Sequence, residues 1–179
     1  MEPIIVIFAI ILTVILYYIF VYNKFVRVFN KVDEALSGID VALARRHDTL
    51  TNMVEVVKGY VKHEKEVLVK LVELRNNATM NERVSVDEAQ TNATARLMLL
   101  SEGYPDLKAN ENFLELQRTI RDVEEHLSAS RRMYNSNVSI YNDLLYSFPS
   151  NMVAKGMNAE RREYFAATDE QKENVKIEI

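Results

Sequence analysis

The run Ile4–Val21, IIVIFAIILTVILYYIFV, constrains this chain more than any other stretch. It holds no charge and no glycine, and its only hydroxyls are those of Thr13, Tyr17 and Tyr18. At about 1.5 Å rise per residue, a helix carries this run across roughly 27 Å, close to a bilayer's hydrocarbon thickness. A secretory signal peptide wants a basic leading segment, a shorter apolar run and a small residue at the cleavage site. Met1-Glu2-Pro3 has no Lys or Arg, and the run ends Tyr-Ile-Phe-Val-Tyr-Asn. Residues 1–22 therefore read as a single-pass anchor that meets the lipid bilayer through residues 4–21. Lys24, Arg27 and Lys31 follow the run, whereas no Lys or Arg precedes it. The positive-inside rule then places the N-terminus outside and the body in the cytoplasm, at the cell (inner) membrane. Tyr17, Tyr18, Phe20 and Tyr22 suit an aromatic belt at that boundary.

The rest of the chain is long enough for one domain with a real core. With only four Gly and three Pro there are few places to turn, which favours long helices over a sheet. Zero Cys leaves no disulfide, thiolate nucleophile or cysteine metal site. A net charge of −4 argues against nucleic acid as a partner.

Apolar residues recur at helical spacing from Phe25 through Val28, Val32, Ala35, Ile39 and Leu43, and again from Leu50 through Val54, Val57, Val61 and Leu68 to Leu74. Between them the stripe is interrupted over 45–51, where Asp48, Thr49 or Thr51 could cap a new helix. Asn76 to Asn81 reads as a break. Ser85-Val86-Asp87-Glu88 has the capping-box form, and the helix it opens is expected to end at Gly103. Residues 104–109 read as a loop around Pro105, and Asn110 or Asn112 can cap a last long helix that stops at Phe148-Pro149. The expected fold is all-α: one transmembrane helix, then a long-helix antiparallel bundle over 23–149, with four helices alternating in direction if the chain breaks near Asp48. Residues 150–179 form a tail, with Tyr164 and Phe165 as a docking point and Val175–Ile179 as a loosely held end.

Candidate chemistry is sparse. His47 beside Asp48, and His63 beside Glu64 with Glu66 nearby, lack the spacing that converges ligands on a metal; His126 stands alone. Asp33 and Asp40, seven residues apart, share a helix face and could perform acid/base work or hold a divalent ion. The plainer reading is pairing with arginine, for which Arg45-Arg46 and Arg131-Arg132 are available. Tyr134-Asn135 and Tyr141-Asn142 repeat at the same spacing, as register-fixing polar groups or as the wall of a pocket. Asp33, Asp40, Arg131, Asn135 and Asn142 are thus the candidates for a polar cluster. Three Asn-x-Ser/Thr triplets, at Asn77, Asn92 and Asn137, are read as chance on a cytoplasmic helical body. No phosphate loop, Ser/His/Asp set or nucleotide fingerprint occurs, and no cofactor or catalytic residue is expected.

Four stretches carry a family resemblance: VDEALSGIDVALARRHDTLTNMVEVVKGYVKHEKEVL (32–68), EGYPDLKANENFLELQ (102–117), RRMYNSNVSIYN (131–142) and FPSNMVA (148–154). In this order, after an apolar N-terminal run, the chain resembles the bacterial LemA family. One departure is Leu50-Thr51-Asn52, where the family typically has proline before the asparagine. The resemblance implies a single-pass membrane protein with a helical body, and supplies neither an activity nor catalytic residues. The resulting expectation is a non-enzymatic interaction or scaffold protein at the cytoplasmic membrane, with an unidentified protein partner and self-association left open. The alternatives are an envelope-stress or lipid-homeostasis factor, or a protein binding a small ligand or divalent metal through Asp33, Asp40 and the Tyr-Asn pairs.

Overall fold

The computed structural model describes residues 2–61 and 79–165. Every regular element among them is helical: α1 (Glu2–Lys58), α2 (Met80–Glu102), α3 (Pro105–Lys108), α4 (Glu111–Tyr146) and α5 (Ser150–Gly156). The neighbours His63, Glu64 and Glu66, the stripe beyond Val61, the first three residues of the break at 76–81 and the end segment 175–179 lie outside the described residues.

Helix α1 does not break near Asp48. It runs unbroken for 57 residues, and Thr49 and Thr51, expected as caps, turn their hydroxyls back onto the carbonyls of Arg45 and His47 four residues earlier. This bonding satisfies the hydroxyls within a continuing helix. The interruption in the stripe has another cause: Arg46 and Thr49 occupy the inward positions between Leu43 and Leu50, and both are buried. The helix ends at Lys58, where the amides of Gly59 and Tyr60 tighten onto the carbonyls of Val56 and Val57. The reversal expected at 48 is therefore absent.

The N-terminus of α2 also differs from expectation. Thr79, six residues before Ser85, is the N-cap, and its hydroxyl accepts from the Glu82 amide while the Glu82 carboxylate accepts from the Thr79 amide. T-x-x-E satisfies two orphan amides as well as S-x-x-E does. Ser85 then lies inside the helix and donates to the Asn81 carbonyl. Thr79→Ala is expected to lower stability by about 1 kcal/mol, whereas Ser85→Ala changes it by a few tenths at most. Urea titration of both variants checks the order. The predicted loop at 104–109 contains the single turn α3, started by Pro105 at its first position and pinned by fully buried Leu107. Asn110 caps α4 through the Phe113 amide, 3.0 Å away.

The chain divides into two compact units. One comprises residues 1–36 and 132–164. There, α1 and α4 run antiparallel, with Asn137 Nδ2 donating to the Lys31 carbonyl and Tyr141 meeting Phe25 edge-on at 6.0 Å between ring centroids. The other comprises, among the described residues, 37–61, 79–131 and 165. Its core gathers Met53, Val57, Leu97, Leu107, Phe113 and Ile120 from α1, α2, α3 and α4. Here the pairings Asp40–Arg83 and Arg46–Asp87 advance together, so α2 runs in the sense of α1. Helix α4 runs against α1, with Gly38 close to Ser130 and Arg46 paired to Glu124.

Candidate functional site

In the unit formed by 1–36 and 132–164, the chain after α5 is laid along α1 and α4 as an extended strap. Asn158, at φ 48°, provides the left-handed residue that lets the chain leave α5. Asn142 then clamps the strap with both ends of its amide: Nδ2 donates to the Arg162 carbonyl (3.0 Å) and Oδ1 accepts from the Arg162 amide (3.1 Å). Tyr134 Oη donates to the Glu163 carbonyl at 2.9 Å. The Arg162 guanidinium sits 4.6 Å over the Phe29 ring and 3.5 Å from Asp33. Residues 157–162 of the strap, with Phe25, Phe29 and Tyr141, line a cleft of about 530 Å³. Its floor is aromatic and its rim carries Glu160, Arg161 and Arg162. Burial, more than its neighbours, pushes the Tyr141 phenol above its usual value, and Arg162 acts against that shift.

Asn142→Ala removes two hydrogen bonds to backbone groups. It is expected to cost about 1–2 kcal/mol and to expose the strap. Limited proteolysis should then cut after Arg161 or Arg162 faster than in the parent chain.

The second polar constellation lies within the unit containing 37–61 and 79–131. Arg46 is the largest fully buried side chain described, 1 % exposed, and projects from α1 toward α2 and α4. Its Nη1 donates to Asp87 Oδ1 (2.9 Å), its Nη2 donates to Thr91 Oγ1 (3.0 Å), and it pairs with Glu124. Asp87, 4 % exposed, also pairs with Arg131. Gln90 Nε2 donates to the Leu43 carbonyl, and Asp40 takes Arg83 Nε and Nη2 at 2.6 and 2.9 Å. Burial lowers the Arg46 guanidinium from its usual value, opposed by Glu124 and Asp87. Burial likewise raises the Asp87 carboxyl above its usual value, opposed by Arg131 and then Arg46. Both directions express one fact, that removing these charges from water costs more than their pairing returns.

The candidate residues are thus placed as follows. Asp33 faces Arg162 and Asp40 faces Arg83, so each carboxylate has its own arginine. Arg131 bonds Asp87 and lies 5.3 Å from the centroid of the Phe165 ring. Asn142 grips the strap, and Asn135 is half-buried on α4. Phe165 is buried, whereas Tyr164 is exposed. Sequence reading missed Asp87, Gln90 and Glu124. The available signal was the stripe of α2, where Asp87, Gln90, Ala93, Leu97 and Ser101 are the buried positions and the first two are polar. No group of three or more His, Cys, Asp or Glu suited to a metal occurs among the described residues.

A sequence model of the LemA family matches residues 35–179. The chain is 29 % identical to Protein LemA of Metamycoplasma hominis over 92 % of its own length and 79 % of that protein. It is 19 % identical to Magnetosome protein MamQ of Magnetospirillum gryphiswaldense, over 80 % of this chain and 64 % of the relative. A 74-residue stretch, 41 % of this chain and 27 % of the relative, is 30 % identical to Magnetosome protein MamQ 2 of Paramagnetospirillum magneticum. The chain therefore spans less than two thirds of the magnetosome proteins it matches.

Proposed function

The chain belongs to the LemA family, and from that premise we propose that it is a membrane-tethered interaction protein rather than an enzyme. One observation carries this reading: the apolar side chains from Ile4 to Phe20 are exposed all round α1, Phe8 at 67 %, while Val21 and Phe25 are buried. A core helix of a soluble protein would bury such a stripe against protein; an exposed apolar surface of this length suits the lipid of a bilayer. Lys24, Arg27 and Lys31 after the run support an outer N-terminus and a cytoplasmic body. The anchor confines the body to the membrane plane and raises its effective concentration for membrane-associated partners. The polar groups gathered by the fold support the same reading, because Asp33, Asp40, Asp87 and Asn142 are each committed to a partner within the chain.

The test is crosslinking in intact cells followed by gentle detergent purification and mass spectrometry. The full chain is compared with one whose residues 4–20 are made polar. A partner recovered near stoichiometrically with the anchored chain alone is the expected result. Recovery of the protein by itself from both would overturn the adaptor role. The aromatic floor and arginine rim of the cleft beside Phe25 and Phe29 favour a second reading, a lipid-handling factor, for which native mass spectrometry should find bound lipid after extraction.

A further inference from the structure

We propose that the turn between α4 and α5, residues 146–152, is a second membrane-contacting element that sits in the lipid interface beside the end of the apolar span. The inference rests on the anchor reading and adds to it a surface distant in sequence. Three large apolar side chains stand out from this turn: Tyr146 (70 % exposed), Phe148 (81 %) and Met152 (66 %). They are presented by a tied turn rather than a loose one. Ser150 Oγ bonds the carbonyls of Leu144 (2.8 Å) and Ser147 (2.9 Å), and Val153 and Ala154 of α5 are buried.

Their level follows from the antiparallel register of α1 and α4. Asn137 bonds Lys31, and Tyr141 packs on Phe25, so each step forward on α4 is a step back on α1. Tyr146 lies about 7.5 Å beyond Tyr141 along the helix, which brings the end of α4 level with Phe20 and Val21. An independent contact agrees: a Cβ built on Gly156, at the end of α5, would lie 3.6 Å from the hydroxyl of Tyr18. Tyr146 and Phe148 thereby join Tyr18, Phe20 and Tyr22 in one aromatic girdle, the depth at which amphipathic rings partition best. Lys24 and Arg27 of α1 and Lys155 of α5 are exposed near the same level, with Asp143 and Glu160 as the acidic neighbours. An apolar surface continuous with the anchor needs no protein partner; the bilayer that takes the span also covers the turn.

The chain has no cysteine, so single cysteines can be introduced without background. Full-length Leu12→Cys, Phe148→Cys, Met152→Cys and His126→Cys carry a nitroxide in vesicles of phosphatidylcholine and phosphatidylglycerol. Power saturation then compares collisions with oxygen and with a water-soluble nickel chelate, far-ultraviolet circular dichroism verifying the fold of each. Labels at 12, 148 and 152 are expected to favour oxygen, with 12 the deepest, and the label at 126 to favour nickel. Oxygen preference at 12 with nickel preference at 148 and 152 overturns the interfacial turn and leaves the anchor intact. Nickel preference at 12 overturns both.

Discussion

Arginine at both Ile11 and Ile15 is expected to release most of the chain from the membrane fraction. Each charge near the centre of a span costs about 2.5–3.5 kcal/mol on insertion scales, so together they cost roughly 5–7 kcal/mol, and the two favourable isoleucine contributions are lost as well. The positions suit the test because both side chains are exposed on α1 and neither belongs to the buried core. Carbonate washing of membranes distinguishes a spanning chain from one that merely adheres. The parent chain should stay in the pellet, the double arginine variant should move largely to the supernatant, and Ile11→Leu with Ile15→Leu should behave as the parent. Retention of the arginine variant in the pellet would mean that something other than residues 4–21 holds the protein.

Asp87→Ala is expected to destabilise the body by about 3–5 kcal/mol, the range for removing one partner of a buried ionic group. The carboxylate receives Arg46 and Arg131, and alanine leaves both guanidiniums facing a void with Glu124 as the remaining anion on Arg46. Asp87→Asn should be far milder, because its side-chain oxygen still accepts and because burial already works against the charge. The pH dependence separates these effects. A carboxyl raised in the folded state contributes stability that is fully present below its unfolded value and lost as pH rises through the folded one. The gap between the parent and Asp87→Asn should therefore be widest in acid and narrow as pH climbs above the ordinary carboxylate range. Chemical denaturation in mild detergent, followed by circular dichroism at several pH values, measures both variants. Equal costs for Ala and Asn would contradict this account of the buried Arg46–Asp87–Arg131 cluster.

The contrast between the two predictions also shows what the sequence made legible. The span, the helical class, the end of α4 before Phe148-Pro149 and the Asn110 cap all follow from local rules: apolar run length, scarcity of Gly and Pro, and side chains that satisfy nearby amides. The continuity of α1 does not. At 45–51 a buried arginine and a back-bonded threonine imitate a loop, because periodicity treats any polar residue on the stripe as an interruption. What admits Arg46 to the stripe is Asp87, 41 residues on, and Glu124 on α4, and no window short enough to read helical periodicity contains all three. The same holds for the strap. Asn142 looked like one half of a repeated Tyr-Asn pair, yet its partner is the backbone of Arg162, a group that carries no residue-specific signal. Thr79 against Ser85 is a smaller failure of the same kind, since two capping boxes six residues apart are equivalent until the fold selects one.

The central claim, a chain that crosses the membrane once and holds its body on the side of its basic flank, is tested most directly by cysteine accessibility in intact cells. Pro3→Cys and Lys58→Cys, each the only cysteine in the full-length chain, are treated with a membrane-impermeant maleimide before and after permeabilisation. Labelling of position 3 in intact cells, with position 58 reached only after permeabilisation, is the predicted result. Labelling of position 58 from outside an intact membrane would contradict it.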